Sequence, residues 1–423
     1  MTTTTGTRLE IKRTTLSNGL VVVGSENHTH PAVVLRLALR AASVHDAPET
    51  AGLAALAASG LTRGTRRRSF EEINEAVDAA GMGFGSGAGR HTTTISARCL
   101  VEDLPLAIDL VADVAREPSF PAEQVEHLRG QVITGLRRAD NDTGSVADRH
   151  FRELIYPEGH PYRLRTHGYQ ETVAKLGPDD LAAFHARTYG PAGGFCVVVG
   201  DVDFDEVTRR LEDALGGWQG AAPPEVPVDK PPPPAPAQQE FTLLGKTQSD
   251  LVLGLPAIRR ADPDYYALRM ANLILGRLGM MGRLGETVRE AMGLAYGVHT
   301  ELDAGLGAGP WCVRAGVNPQ NVDAALLAIR DQVQRLREDG VTDDELVRGQ
   351  RYSTGSLVLQ LETNDGVAGV IQEIELFGLG LDFLDRYPQI VEGLTRDQVN
   401  AAAARHIPRY EDTVRVIAGP ART

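Results

Sequence analysis

Apolar residues recur along the chain in two rhythms. Short runs rich in β-branched residues, at 33–39, 195–199, 250–255 and 413–418, are bounded by turn formers and predict strands. Longer stretches at 104–116, 123–138, 322–337 and 344–361 space their apolar residues near 3.6 and predict helices. The elements come in clusters, without strict β-α-β alternation. That predicts an α+β chain, with helices packed on largely antiparallel sheets. A glycine-rich run, 81–89, lacks the Gly-Lys-Ser/Thr ending of a phosphate loop and leads into a β-rich run at 91–97. It reads as a flexible turn entering a strand.

The pattern occurs twice. Arg129-Gly130-Gln131 returns as Arg348-Gly349-Gln350, an offset of 348 − 129 = 219. Leu176 to Leu181 is echoed by Leu394 to Val399 at 394 − 176 = 218, and Leu106-Ala107-Ile108 by Leu327-Ala328-Ile329 at 327 − 106 = 221. Matches in one order at nearly one offset point to an internal duplication. Between the copies lies Pro231-Pro232-Pro233-Pro234-Ala235-Pro236, preceded by Pro223, Pro224 and Pro227. Such a stretch stays extended and predicts a semi-rigid linker. The expected division is an N-terminal domain at 1–222, a linker at 223–238 and a C-terminal domain at 239–423.

Composition narrows the setting. The 423 residues carry a net charge of −13, which disfavours nucleic acid and anionic lipid as partners. Three scattered cysteines, Cys99, Cys196 and Cys312, sit in apolar runs and read as buried, reduced thiols. The first twelve residues are polar and threonine-rich, without the apolar stretch of a signal peptide. No apolar run approaches the ~18 residues that span a bilayer. A cytoplasmic location is the expectation.

Several motifs then fall into a known order: Asn18-Gly19-Leu20-Val21, Ala51-Gly52-Leu53-Ala54, Gly64-Thr65, Gly159-His160-Pro161-Tyr162 and Gly293-Leu294-Ala295-Tyr296. In that order the chain resembles the pitrilysin and insulin-degrading enzyme family, in its short-chain branch that includes the mitochondrial processing peptidase. The likeness runs from about Leu9 to Gly419. It implies two homologous domains in tandem, forming half of a clamshell. Active members carry H-x-x-E-H on a helix just before the Gly-Thr element. Residues at i and i+4 share a helix face, so two imidazoles grip one zinc while the carboxylate at i+3 serves as base.

By that alignment the two ligand histidines fall on Ala55 and Ser59 and the base on Ala58. The third-ligand position falls on Gly135 or Leu136. No competent zinc ligand stands at any of them. Elsewhere His150-Phe151-Arg152-Glu153 ends in Leu154 where a second His would stand, and reads as a polar helix face. His28 and His30 read as turn residues, and Ser59 has no neighbouring His or Asp to activate it. The chain is thus expected to hold no metal or cofactor itself, with zinc carried by a partner.

The resemblance also implies a substrate-holding pair in the second half, an Arg and a Tyr seven residues apart. Arg289 and Tyr296 fit, since 296 − 289 = 7. Taken without the family, Arg289 reads as a helix-end charge and Tyr296 as a packed strand residue. The leading expectation is a non-catalytic subunit of a heterodimeric zinc peptidase. Arg289 and Tyr296 would serve a zinc-bearing partner that cleaves unfolded peptides, helped by strand edges that align an extended chain. The alternatives are a non-enzymatic scaffold of the same fold and a homodimeric peptide-binding protein.

Overall fold

A computed structural model describes residues 9–220 and 222–422. The polar start read above as lacking a signal peptide lies mostly outside these, at residues 1–8. Eleven described strands form two sheets.

The first sheet runs β1 (Lys12–Thr15), β2 (Val21–Glu26), β6 (Phe195–Gly200), β3 (Ala32–Leu39), β5 (Thr93–Leu100), β4 (Gly83–Ala88). The second runs β7 (Ala237–Thr242), β11 (Val414–Gly419), β8 (Ser249–Pro256), β10 (Pro310–Val317), β9 (Ala295–Leu302). Once β1 is set aside, both follow one order. In each, the first and last strands of the copy pair in parallel, Val21 opposite Phe195 and Ala237 opposite Val414, and every other pair is antiparallel. The duplication read from short sequence echoes is therefore a duplication of topology. The fold is α+β, as expected.

Two compact units result, and neither is a contiguous half. One comprises residues 1–133, 166–226 and 358–383. The other comprises 134–165, 227–357 and 384–423. This departs from the simple division at the proline linker, and the reason lies in how a sheet buries two faces.

In the first unit, Leu35, Leu37, Ile95 and Val198 face a core shared with the helices Leu53–Gly60 and Leu104–Arg116. The opposite face carries Val34, Phe195, Val197 and Val199, and these are sealed by Val367, Ala368 and Ile371. That cover is the helix Asn364–Phe377, supplied from beyond the linker. Strand β6 is consequently buried along its whole length, which explains its unbroken apolar run Phe195 to Val199.

The second unit is completed in the same way by the helix Thr143–Ile155, which packs on β8 and β11. Its hold is partly polar: Tyr156 donates to the Ala308 carbonyl at 3.0 Å, Arg152 pairs with Asp303 at 3.0 Å, and the Gly307 amide donates to Tyr162 at 2.9 Å. The glycine-rich run corrects its reading as a turn: Gly83 to Ala88 is itself β4, an edge strand of the first sheet.

Candidate functional site

The Leu53–Gly60 helix is apolar on all sides. Ala54, Ala57 and Ala58 are fully buried, and Ala55 is nearly so. Its entry is set by Gly52 at φ 97°, where a Cβ would lie 2.7 Å from the His167 carbonyl oxygen. Asp46 satisfies two buried backbone donors at the start of the helix, with Oδ2 accepting from Gly52 and Oδ1 from Ala54, each at 2.9 Å. Burial pushes the Asp46 carboxyl up to about 7 against the pull of those two amides.

At the aligned ligand positions, Ala55 and Ala58 present methyl groups and Ser59 a half-buried neutral hydroxyl. Gly135 is exposed without a side chain, and Leu136 is a buried alkyl. This donor set does not fit zinc, which is held by imidazole, thiolate or carboxylate.

Of the other candidate histidines, His150 and His28 are engaged within the fold and His30 is exposed. His150 pairs with Glu153 at 3.0 Å and stacks on Phe241 with ring centres 3.7 Å apart, which explains the incomplete H-x-x-E match structurally. His28, exposed in its turn, pairs with Asp201 at 2.7 Å. The three cysteines are free and buried, with burial raising each thiol, Cys99 to about 11 and Cys196 and Cys312 to about 12. They lack the lowered pKa of a reactive thiol.

Among the described residues, one group lies close enough to share a metal ion: Asp262, Asp264 and His406. Here Asp264 already pairs with His406 at 2.7 Å and with Arg405, and its carboxyl is lowered chiefly by the His406 hydrogen bond. The cluster fastens the end of the Arg396–His406 helix to the start of the helix Tyr265–Gly276.

The Arg–Tyr pair is built differently. Gly285–Ala291 is wound with i→i+5 bonds, and this wide coil closes as Met292 donates to the Thr287 carbonyl at 3.0 Å. Gly293, at φ 63°, then turns the chain into β9. Along β9, Gly297 faces Gly316 while Ala295 faces Val317, so Tyr296 is the extra residue of a bulge. The bulge throws its ring outward, 66% exposed, while Arg289 stays half-buried. Neither side chain has a hydrogen-bond or ion-pair partner among the described residues. Tyr296 is thus not the packed strand residue of the alternative reading.

Sequence reasoning missed Asp46, which stands too far ahead of its helix to look like a cap. It also missed a groove of about 670 Å³ in the second unit, lined by residues from separate segments. No local spacing announces either.

Two models of one family match the chain, and together they cover most of it. Residues 21–158 match Insulinase (Peptidase family M16), and residues 175–352 match the Peptidase M16 inactive domain. The chain belongs to peptidase family M16. An uncharacterized zinc protease of Streptomyces coelicolor is 29% identical to this M16 chain over 405 residues, 93% of this chain and 86% of the relative. The crystal structure of a peptidase M16 inactive domain from Pseudomonas fluorescens matches with TM-score 0.90 and 26% identity, over 98% of each chain. A protease from Helicobacter pylori shares the fold, with TM-score 0.90 and 19% identity over 97% of this chain and all (100%) of that one. Among the described residues, no helix of this M16 member is long and apolar enough to cross a membrane.

Proposed function

We propose that this M16 chain is the substrate-holding, non-catalytic subunit of a two-chain peptidase, acting with a partner that supplies the metal and the general base. The observation that carries the reading is the contrast between its two sites. The helix aligned with the zinc motif offers only alkyl groups and one hydroxyl, whereas Arg289 and the bulged Tyr296 stand unpartnered beside the turn at Gly293. A guanidinium and a phenol both donate hydrogen bonds, and they hold a peptide carbonyl more strongly as negative charge grows on its oxygen.

A second feature supports peptide handling. Strand β4 is the free edge of its sheet, and among its residues Gly85 and Gly87 leave open space where side chains would project. An extended peptide adds to such an edge through main-chain bonds. The edge of β9 is less open: Arg277 donates to the Thr300 carbonyl at 2.9 Å, and the Val298 amide points at the Met281 sulfur at 3.5 Å. The buried, unreactive thiols suit a reducing, cytoplasmic setting.

The test is to isolate the chain with whatever homologous subunit accompanies it and to assay a quenched peptide with each subunit and with the mixture. Cleavage is expected from the mixture alone. Arg289→Ala or Tyr296→Phe in this chain should lower kcat/KM by about 10²–10³. Hydrolysis by this chain alone would overturn the reading. Unchanged turnover in both variants would remove the two residues from it.

A further inference from the structure

The duplication places a groove in the second unit where the first unit has its alanine helix. In the first copy Ser86 donates to the Ala58 carbonyl at 2.6 Å; in the second Thr300 donates to the Asn272 carbonyl at 2.8 Å. The two bonds are equivalent, since 300 − 86 and 272 − 58 both equal 214. In that frame Ala55, Ala58 and Ser59 correspond to Arg269, Asn272 and Leu273. All three of these line the groove. One copy of the helix carries two methyl groups and a hydroxyl at these positions, and the other presents a cation and an amide to a space of about 670 Å³. That volume lies within the usual range for a ligand pocket.

The lining is chemically lopsided. Its carboxylates are spoken for: Glu301 pairs with Arg314 at 2.8 Å and Asp303 with Arg152 at 3.0 Å. Arg277 is different. Its Nε is used on the Thr300 carbonyl, and no carboxylate pairs with it among the described residues. His299, on the same wall, is held below the usual imidazole range by burial and then by the Arg277 charge. Arg269 is engaged, donating to the Tyr387 hydroxyl at 3.4 Å, which leaves Arg277 as the groove's available cation. Asn272 is only 5% exposed, and its Oδ1 is buried without a donor. Because that oxygen is closed off, a bound N–H reaches it only as the side-chain amide turns toward the groove, and it then recovers the free energy that an unpaired buried acceptor costs.

An anion-binding cation and a hydrogen-bond acceptor on residues that both bond Thr300 select a ligand carrying a negative group and an N–H close together. An inorganic anion lacks the amide donor. We propose that this groove binds the C-terminal residue of a peptide, with Arg277 taking the carboxylate and Asn272 Oδ1 accepting the amide N–H. The inference rests on the peptide-holding reading above, and it adds a direction: the end of a substrate is seated in the second unit.

The purified full-length chain, without a partner, should be titrated with a short fluorescein-labelled peptide bearing either a free C-terminal carboxylate or a C-terminal amide. The acid should bind at least about tenfold more tightly, the factor expected for a charge-assisted hydrogen bond. Arg277→Gln should abolish that preference while leaving the melting temperature unchanged. An N-acetylated single amino acid should compete only at far higher concentration than unlabelled peptide. Equal binding of acid and amide would overturn this assignment and leave the peptide-holding role standing. Binding of neither peptide would overturn both. Equal competition by the single amino acid would make the site one for small carboxylates, and overturn it as a peptide site.

Discussion

Asp46 shows how one residue sets a pH response without touching the chemistry. Its carboxyl leaves a usual value of 3.8 for about 7 because burial outweighs the two amide donors. Between pH ~4 and ~7 the folded chain therefore holds a proton that the unfolded chain has released. Stability conferred by that proton is complete below about pH 4 and is lost as pH rises to 7, by up to about 4 kcal/mol. Asp46→Asn should flatten this slope, which denaturant titrations from pH 4.5 to 8 would measure. A wild-type slope that survives the substitution would remove Asp46 as its cause. Other residues of the site were legible to different degrees. Ala55, Ala58 and Ser59 could be read directly, because a motif that requires specific side chains is disproved by their absence. Arg289 and Tyr296 could be chosen by spacing alone, but the bulge that exposes Tyr296 depends on a register slip against Gly316 and Val317, which no local pattern encodes. Arg277 and Asn272 were invisible as a pair, because what joins them is a strand some 25 residues further on, positioned by the sheet.

At the scale of elements, periodicity served well where an element packs on one face. The expected helix at 104–116 is found as Leu104–Arg116, and that at 322–337 as Val322–Glu338. It failed at β4, because alternate glycines carry no apolar signal; the strand exists through its pairing with β5. It also could not say which sheet a helix covers. The Asn364–Phe377 helix has an ordinary amphipathic sequence, yet Ile371 completes the core against Val34 and Val197. Ile371→Ala should cost about 2–5 kcal/mol as a buried large-to-small change. Hydrogen exchange should locate the loss in β3 and β6. Loss of protection in β8 and β11 instead would contradict the exchanged packing.

For the whole molecule, the proline stretch marks where one copy ends in sequence but not where one unit ends in space. The linker runs into β7 at Ala237, close to the expected boundary, while each unit draws a helix from the far side of it. A fragment of residues 1–222 would lack the cover over Val197 and Val199, and a fragment of 239–423 would lack the Thr143–Ile155 helix on β8 and β11. Each should be insoluble or unfolded when expressed separately, and the two should form one folded, soluble species when expressed together. Circular dichroism and size-exclusion chromatography would decide, and a well-folded single fragment would refute the expectation.

The crossed helices also govern how such a chain is able to change. A methyl group added at Ile371 must be accommodated by strands that begin more than 170 positions earlier, so the two copies cannot drift apart as freely as domains joined by a simple tether. Grafting one copy from a relative would import a helix shaped for someone else's sheet. Viable chimaeras should therefore exchange a sheet together with the distant helix that roofs it, following the fold's seams and ignoring the midpoint of the gene.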